Sequence, residues 1–291
     1  MDKGASLLTD RGVIKVAGEA EAFLQKLITN NILAIAPGEA RYSGLLSPQG
    51  KLLFDFLVVP LPEGAAAGYY FDCPKAQAAD LVKRINFHKM RAKITVEDVS
   101  GTLGVAGFWG QEAPPAADGI VFKDPRSDKL GQRLIAPHAV LAKLALDDEQ
   151  AYENHRIAAV VPKGGVDFAY GDTFVHDANL DALHGVDFKK GCYVGQEVVS
   201  RVHFRKTARR RIVKVHFNGP PPTPGSDILF GEIAIGAVGS ISGSDGLATL
   251  RIDRLDAAKA AGVPLKAGEA TLDVNVPPEF IEAAGGMEKR L

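Results

Sequence analysis

Lys189-Lys190-Gly191-Cys192-Tyr193-Val194-Gly195-Gln196-Glu197-Val198-Val199-Ser200-Arg201 is the stretch on which the reading of this chain turns. A short helix is expected to begin near Gly195, and Gln196 and Glu197 suit its first turn. Val198, Val199 and Val202 supply apolar anchors for the helix that follows. Cys192 therefore precedes a helix N-terminus, where unpaired amides and the positive end of the dipole favour a thiolate. Lys189 and Lys190 add positive charge to the same place. The plain alternative is a free cysteine acting as a small buried hydrophobe.

Downstream, Arg201, Arg205, Lys206, Arg209, Arg210 and Arg211 follow with no acid among them. Such a run suits a polyglutamate tail, a phosphate or RNA, or else a solvated edge that covers apolar surface. Beyond it the pattern changes to short strands and turns. Arg211 to Phe217, Ile228 to Ile235 and Ala248 to Ile252 read as strands of a small β-barrel or sandwich.

Upstream, the segment from Pro162 to about Asp187 reads as a long loop, and long loops in compact domains tend to be functional or disordered. Gln150 to Val160 reads as a helix before it. Further back, Gly12 to Val16 alternates as a strand, and Gly18 opens a helical stretch with Phe23, Leu24, Leu27 and Ile28 on one face. Tyr42 to Leu46 and Lys51 to Val59 form a hairpin across Ser47-Pro48-Gln49-Gly50. Pro74 to His88 reads as a helix striped by Ala78, Leu81, Val82 and Ile85; Ile94 to Val99 and Leu103 to Phe108 read as strands. This alternation without regular βαβ spacing indicates an α+β fold.

The 291 residues are 46% hydrophobic and 24% charged, with a net charge of -1. That is the mix of a packed protein of two or three domains, with no global field toward nucleic acid or membrane. No apolar run approaches the roughly 20 residues of a membrane helix, and no signal-peptide core opens the chain, so a cytoplasmic or equivalent compartment is expected. The two cysteines, Cys73 and Cys192, are too few for a disulfide scaffold or a four-thiolate cluster. No spacing of His, Cys or Asp suits a zinc site.

The run Lys-Gly-Cys-Tyr-x-Gly-Gln-Glu at residues 190–197 resembles the signature of the YgfZ family, which includes mitochondrial iron–sulfur assembly factors of the same type. Arg156-Ile157, Asp177-Ala178-Asn179-Leu180-Asp181, Val186-Asp187-Phe188 and Leu45-Leu46-Ser47-Pro48-Gln49-Gly50-Lys51 stand where that family has comparable residues. The likeness runs from about Leu7 to Asp253. The family in turn resembles the glycine cleavage T-protein, a tetrahydrofolate-dependent aminomethyltransferase.

The resemblance implies a three-domain T-protein-like fold. Residues 1–50 with 140–205 would make a central folate-binding-like domain, residues 51–139 a ferredoxin-like α+β domain, and residues 206–291 a C-terminal β-barrel. It implies tetrahydrofolate or a related folate as cofactor, held around Arg156, Asn179, Lys190, Gly191, Tyr193, Gln196, Glu197 and Arg201. Cys192 and Asp55 are the candidate catalytic groups; Asp55 equally reads as a paired strand carboxylate.

Two departures from the transferase stand out. Its Asp-Asp pair is Asp55-Phe56 here, and the glutamate that meets the pterin is replaced by Ala158. An alanine cannot accept hydrogen bonds from a pterin edge. The leading expectation is therefore an accessory factor for iron–sulfur protein biogenesis or repair. Its partners would be folate and iron–sulfur apo-proteins or assembly factors, with indirect support of tRNA modification. A one-carbon transferase using Asp55 and an RNA-binding module on the basic run are the alternatives. Whether the chain is an enzyme stays open.

Overall fold

The computed structural model describes residues 3–33, 35–62, 67–114 and 119–284. By contacts the chain divides into two compact units. One comprises Met1–Ser47, Leu53–Tyr152 and Leu183–Val194; the other comprises Pro48–Leu52, Glu153–Ala182 and Gly195–Leu291.

The first unit begins with β1 (Gly4–Leu7), β2 (Arg11–Gly18) and the short helix α1 (Ala20–Gln25). Gly18 belongs to the strand, not to the helix expected from its sequence. Its φ of 103 lets the chain turn there, and Leu27 and Ile28 enter the core just after the helix has ended. The hairpin strands follow as β3 (Arg41–Leu46) and β4 (Leu52–Pro60), then β5 (Gly68–Pro74). Pro74 closes β5; a 3-10 turn over Lys75–Gln77 intervenes before α2 (Ala78–Lys89) starts. Ala78, Leu81 and Ile85 are the buried positions of α2, at the spacing of one helical face.

After β6 (Ile94–Asp98), the chain runs through β7 (Leu103–Trp109), β8 (Ile120–Lys123), β9 (Gln132–Pro137) and α3 (His138–Leu141). One sheet has the order β3-β4-β5-β2-β6, the other β1-β7-β9-β8. Phe56 and Phe71 stack in the larger core at 4.5 Å between centroids, with Cys73 in the same cluster. Trp109 is buried against Tyr152.

The helix α4 (Glu149–Ala158) carries the chain from the first unit into the second. From residue 159 to residue 195 the chain makes turns and isolated bridges but no helix or strand, in keeping with the long loop read from the sequence. Then come α5 (Gln196–Arg205), β10 (Arg210–Asn218), β11 (Asp227–Phe230), β12 (Ile233–Ser242) and β13 (Asp245–Arg251). The expected single strand Ile228–Ile235 is two strands, because Gly231 at φ 61 turns the chain between them. The chain ends with α6 (Ile252–Ala261), β14 (Leu265–Ala267), β15 (Ala270–Asn275) and α7 (Pro278–Ala284). The six strands close into a barrel of order β10-β13-β12-β11-β14-β15, so no edge is left unpaired. Its core holds Val213, Val215, Phe217 and Leu250, with Leu255 and Ala258 of α6 packed on it. Among the described residues, no helix is long and apolar enough to cross a membrane.

Candidate functional site

In the first unit, residues 183–194 form a loop strapped to the ends of α1 and β3. Thr29 Oγ1 donates to the Gly185 carbonyl at 2.6 Å, and Asn30 Nδ2 donates to the His184 carbonyl at 2.6 Å and to Tyr42 O at 2.7 Å. Asp187 returns the contact through its amide to Thr29 O, while its Oδ1 accepts from the amides of Lys189 and Lys190. Lys190 then turns inward. Its Nζ donates to the carbonyls of Ile28 at 2.7 Å and Asn30 at 2.6 Å, and lies 5.3 Å from the Tyr193 ring centre. Burial lowers the Lys190 ammonium to about 8, against the opposing pull of Asp187. The Tyr193 hydroxyl is pushed up by burial and by Asp187.

Gly191 and Cys192 lie between these two buried anchors, and both are exposed. An added Cβ on Gly191 would meet nothing within 4 Å. Cys192 is thus a free thiol displayed from a fixed loop. Cys73 is fully buried, and burial pushes its thiol up to about 12. The exposed sulfur is the one within the signature.

Asp55 is buried on β4, and its Oδ2 accepts the Tyr42 hydroxyl at 3.0 Å. Burial and Asp55 raise the Tyr42 hydroxyl far above its ordinary value. Around this pair lies a buried network that the sequence reading missed. Arg133 on β9 donates to Asp72 of β5 at 2.5 Å, to Asp124 at 2.8 Å and to the Tyr152 hydroxyl at 2.7 Å. Arg11 pairs with Asp72, and Arg126 with Asp124. With Asp55 the cluster holds three arginines and three carboxylates. The paired reading of Asp55 therefore has a physical role, as counter-charge in a low-dielectric site. The one sequence signal was a lone charge within apolar strands, as in Asp72 between Phe71 and Cys73.

The remaining residues singled out from sequence lie in the second unit. Arg156 donates from Nε and Nη2 to Glu153, from Nη1 to Asp167 and Val161 O, and from Nη2 to Ser240 Oγ. These are the partners of a structural ion pair. Asn179, at φ 59, exchanges two hydrogen bonds with Ile212 of β10, so both ends of its amide are used. Ala158 is exposed on α4. The Arg156 donors are all taken by protein acceptors, and the Ala158 side chain carries no acceptor for a folate's polar edge.

Gln196 and Glu197 open α5, which is capped by Gly195 at φ 81 and carries Glu197 in its first turn. Gly50, at φ 80, packs on this helix: an added Cβ would lie 2.9 Å from Val198. Arg201, Arg205, Lys206, Arg209 and Arg210 are exposed. Arg211 departs from the run: it is buried and paired with Asp181 at 2.6 Å. Strand alternation turns it inward at the start of β10.

A family model for the C-terminal beta-barrel domain of CAF17 matches residues 209–280. The mitochondrial iron–sulfur cluster assembly factor IBA57 of Homo sapiens is 30% identical over 275 residues, covering 85% of this chain and 77% of its own length. This chain belongs to the IBA57 family of iron–sulfur cluster assembly factors. The mouse IBA57 is also 30% identical, with 75% of this chain and 67% of its own length covered. The Mycosarcoma maydis homologue is 33% identical over 237 residues, 75% of this chain. The chain spans only 59% and 60% of the length of the first two curated relatives it matches. An aminomethyltransferase T of the glycine cleavage system from Bartonella henselae superposes with a TM-score of 0.73 at 17% identity. It covers 97% of this chain and 87% of its own, so the fold of this IBA57-family member is of the T-protein kind.

Proposed function

We propose that this chain serves the assembly or repair of iron–sulfur proteins, and that Cys192 is the group through which it does so. The observation that carries the reading is the exposed thiol between the buried anchors Lys190 and Tyr193, in a chain of this family. Biological clusters usually take four thiolates. Cys73 is sealed in the core, so Cys192 supplies one ligand or one nucleophile, and the assembly partner or client supplies the rest. A displayed, rigid thiol suits such a shared site because little side-chain freedom is lost when the partner docks.

The YgfZ-type sub-assignment, the three-domain division and an indirect contribution to tRNA modification belong to this proposal. So does a cytoplasmic placement, beside relatives whose names carry the word mitochondrial. Tetrahydrofolate as a ligand rests on resemblance alone. With Arg156 and Asn179 engaged by protein partners, no step here depends on it. Nor is a transfer step placed on Asp55, whose carboxylate accepts the Tyr42 hydroxyl inside the arginine cluster.

The test is genetic and biochemical. A strain lacking this protein is expected to lose activity of its iron–sulfur enzymes while apo-protein levels hold, and the wild-type chain restores it. Unchanged cluster-enzyme activity in that strain would refute the proposal.

A further inference from the structure

On the second unit, Arg210 of β10 sits directly opposite Arg251 of β13 in the antiparallel register. Facing residues on paired strands project from the same side of the sheet, and like charges so placed repel. Asp253 relieves only one of them, binding Arg251 through Nε and Nη2 at 3.0 and 2.5 Å. Arg210 and Arg254 are exposed, and neither forms an ion pair among the described residues. Arg251, although bound to Asp253, and Arg210, whose charge Asp177 partly offsets, still present two guanidinium groups on one side of the barrel, a setting suited to a phosphate group.

Two cavities meet at this arginine ridge. One, of about 310 Å³, is walled by Phe174, His176 and Asp177, by Val202 of α5 and by Thr207 just beyond it. The other, of about 490 Å³, is walled by β12 from Ile233 to Ala237 and by Thr249 and Arg254. Arg210 and Arg251 line both. Small side chains and Gly236 keep the second floor low, and Ile233 presents an apolar wall that is 50% exposed. Each cavity has the size of a small-ligand pocket. Beside the first, Phe204 stands 73% exposed on α5 among Arg201, Arg205 and Lys206.

We propose that this face binds single-stranded nucleic acid, with a backbone phosphate on the Arg210–Arg251 ridge and one base in the cavity on each side. An acidic peptide would use the ridge and leave both cavities empty. A phosphodiester step uses all three, since it carries a planar group on either side of its charge. Asp177 offers acceptor oxygens to the N–H edge of the base in the first cavity. Arg201, Arg205 and Lys206 extend the cationic track, and Phe204 supplies the exposed ring on which such sites stack bases. The net charge of -1 makes this a local patch on an otherwise balanced chain.

The test is fluorescence anisotropy with the full chain and short labelled oligouridylate or oligothymidylate, across a salt series. Saturable binding to either strand that weakens with salt is expected. The double variant Arg210→Gln/Arg254→Gln is expected to weaken it about tenfold and to lower the salt slope by about one per arginine. Both side chains are exposed, so its melting temperature should match wild type, which separates lost contact from lost fold. Phe204→Ala should weaken binding with the salt slope unchanged. No binding at low salt would overturn the proposal. Equal affinity for a duplex, or equal competition by polyglutamate, would overturn it in favour of generic anion attraction.

Discussion

Lys190 Nζ lies 2.6 Å from the carbonyl oxygen of Asn30, and this contact fixes the position of the thiol two residues further on. A lysine ammonium surrounded by backbone acceptors holds a loop as a cap holds a helix end: it satisfies carbonyls that burial would otherwise leave unpaired. Lys190→Met removes the donor and leaves the Ile28 and Asn30 carbonyls without it. The expected cost is about 1–3 kcal/mol of stability, read as a fall in the urea midpoint. An unchanged midpoint would mean that the loop does not depend on this strap.

Burial divides the two cysteines cleanly. Alkylation of the native protein is expected to modify Cys192 alone, and Cys73 only after denaturation, as read by peptide mass spectrometry. Labelling of Cys73 at a comparable rate in the native state would contradict the core packing around it.

The Arg133 cluster holds the two sheets of the first unit together across Asp72 and Asp124. Arg133→Met leaves both carboxylates short of a partner in a dry site. A loss of about 3–5 kcal/mol is expected in equilibrium unfolding. A loss under 1 kcal/mol would show that water enters the cluster and carries the charge.

His176 and Asp177 are neighbours with opposite titrations. Burial lowers the His176 imidazole to about 4 and raises the Asp177 carboxyl to about 6, the latter against the pull of Arg210, Arg211 and Lys51. The His176 contribution to stability is present above 6.5 and is lost as pH falls toward 4. The Asp177 contribution is present below 3.8 and is lost as pH rises through 6. Between pH 4 and pH 6 the two nearly cancel. The pair should therefore add almost no slope there, while Asp177→Asn should steepen the rise of stability from pH 4 to pH 6.5 by up to about 3 kcal/mol relative to wild type, seen by urea titration at each pH. A flat profile in the variant would remove His176 from the account.

How much of this was legible in the sequence follows from the range of the interactions. The hairpin turn, the apolar stripe of α2, the start of α5 at Gln196 and the first barrel strand are local patterns, and each stands where its residues indicated; the strand expected over Ile228–Ile235 is split by the turn at Gly231. The thiol and its helix were legible because the signature is contiguous. The Arg11, Arg126 and Arg133 cluster was not, because its members come together only when β2, β5 and β9 pack. The inward turn of Arg211 was hidden for a related reason. A run of basic residues has no visible period until strand pairing sets which side each faces. The lysine strap was equally silent, since its acceptors are main-chain carbonyls that no side-chain pattern records.

Folate binding separates the fold from its ancestry. Wild-type protein titrated with tetrahydrofolate is expected to show no saturable fluorescence change, because Arg156 is held by Glu153 and Asp167 and Ala158 offers no acceptor. Ala158→Glu, which restores a carboxylate at that position, is the informative second titration. Tight binding by wild type would mean that other residues take the ligand.

The most direct measurement is the activity of iron–sulfur enzymes in a strain lacking this protein, complemented by Cys192→Ala at wild-type expression. Cys192 touches no core cluster, so the variant should fold and melt as wild type does. The expected result is a stable protein that fails to restore cluster-enzyme activity; restoration equal to wild type would take the thiol out of the mechanism.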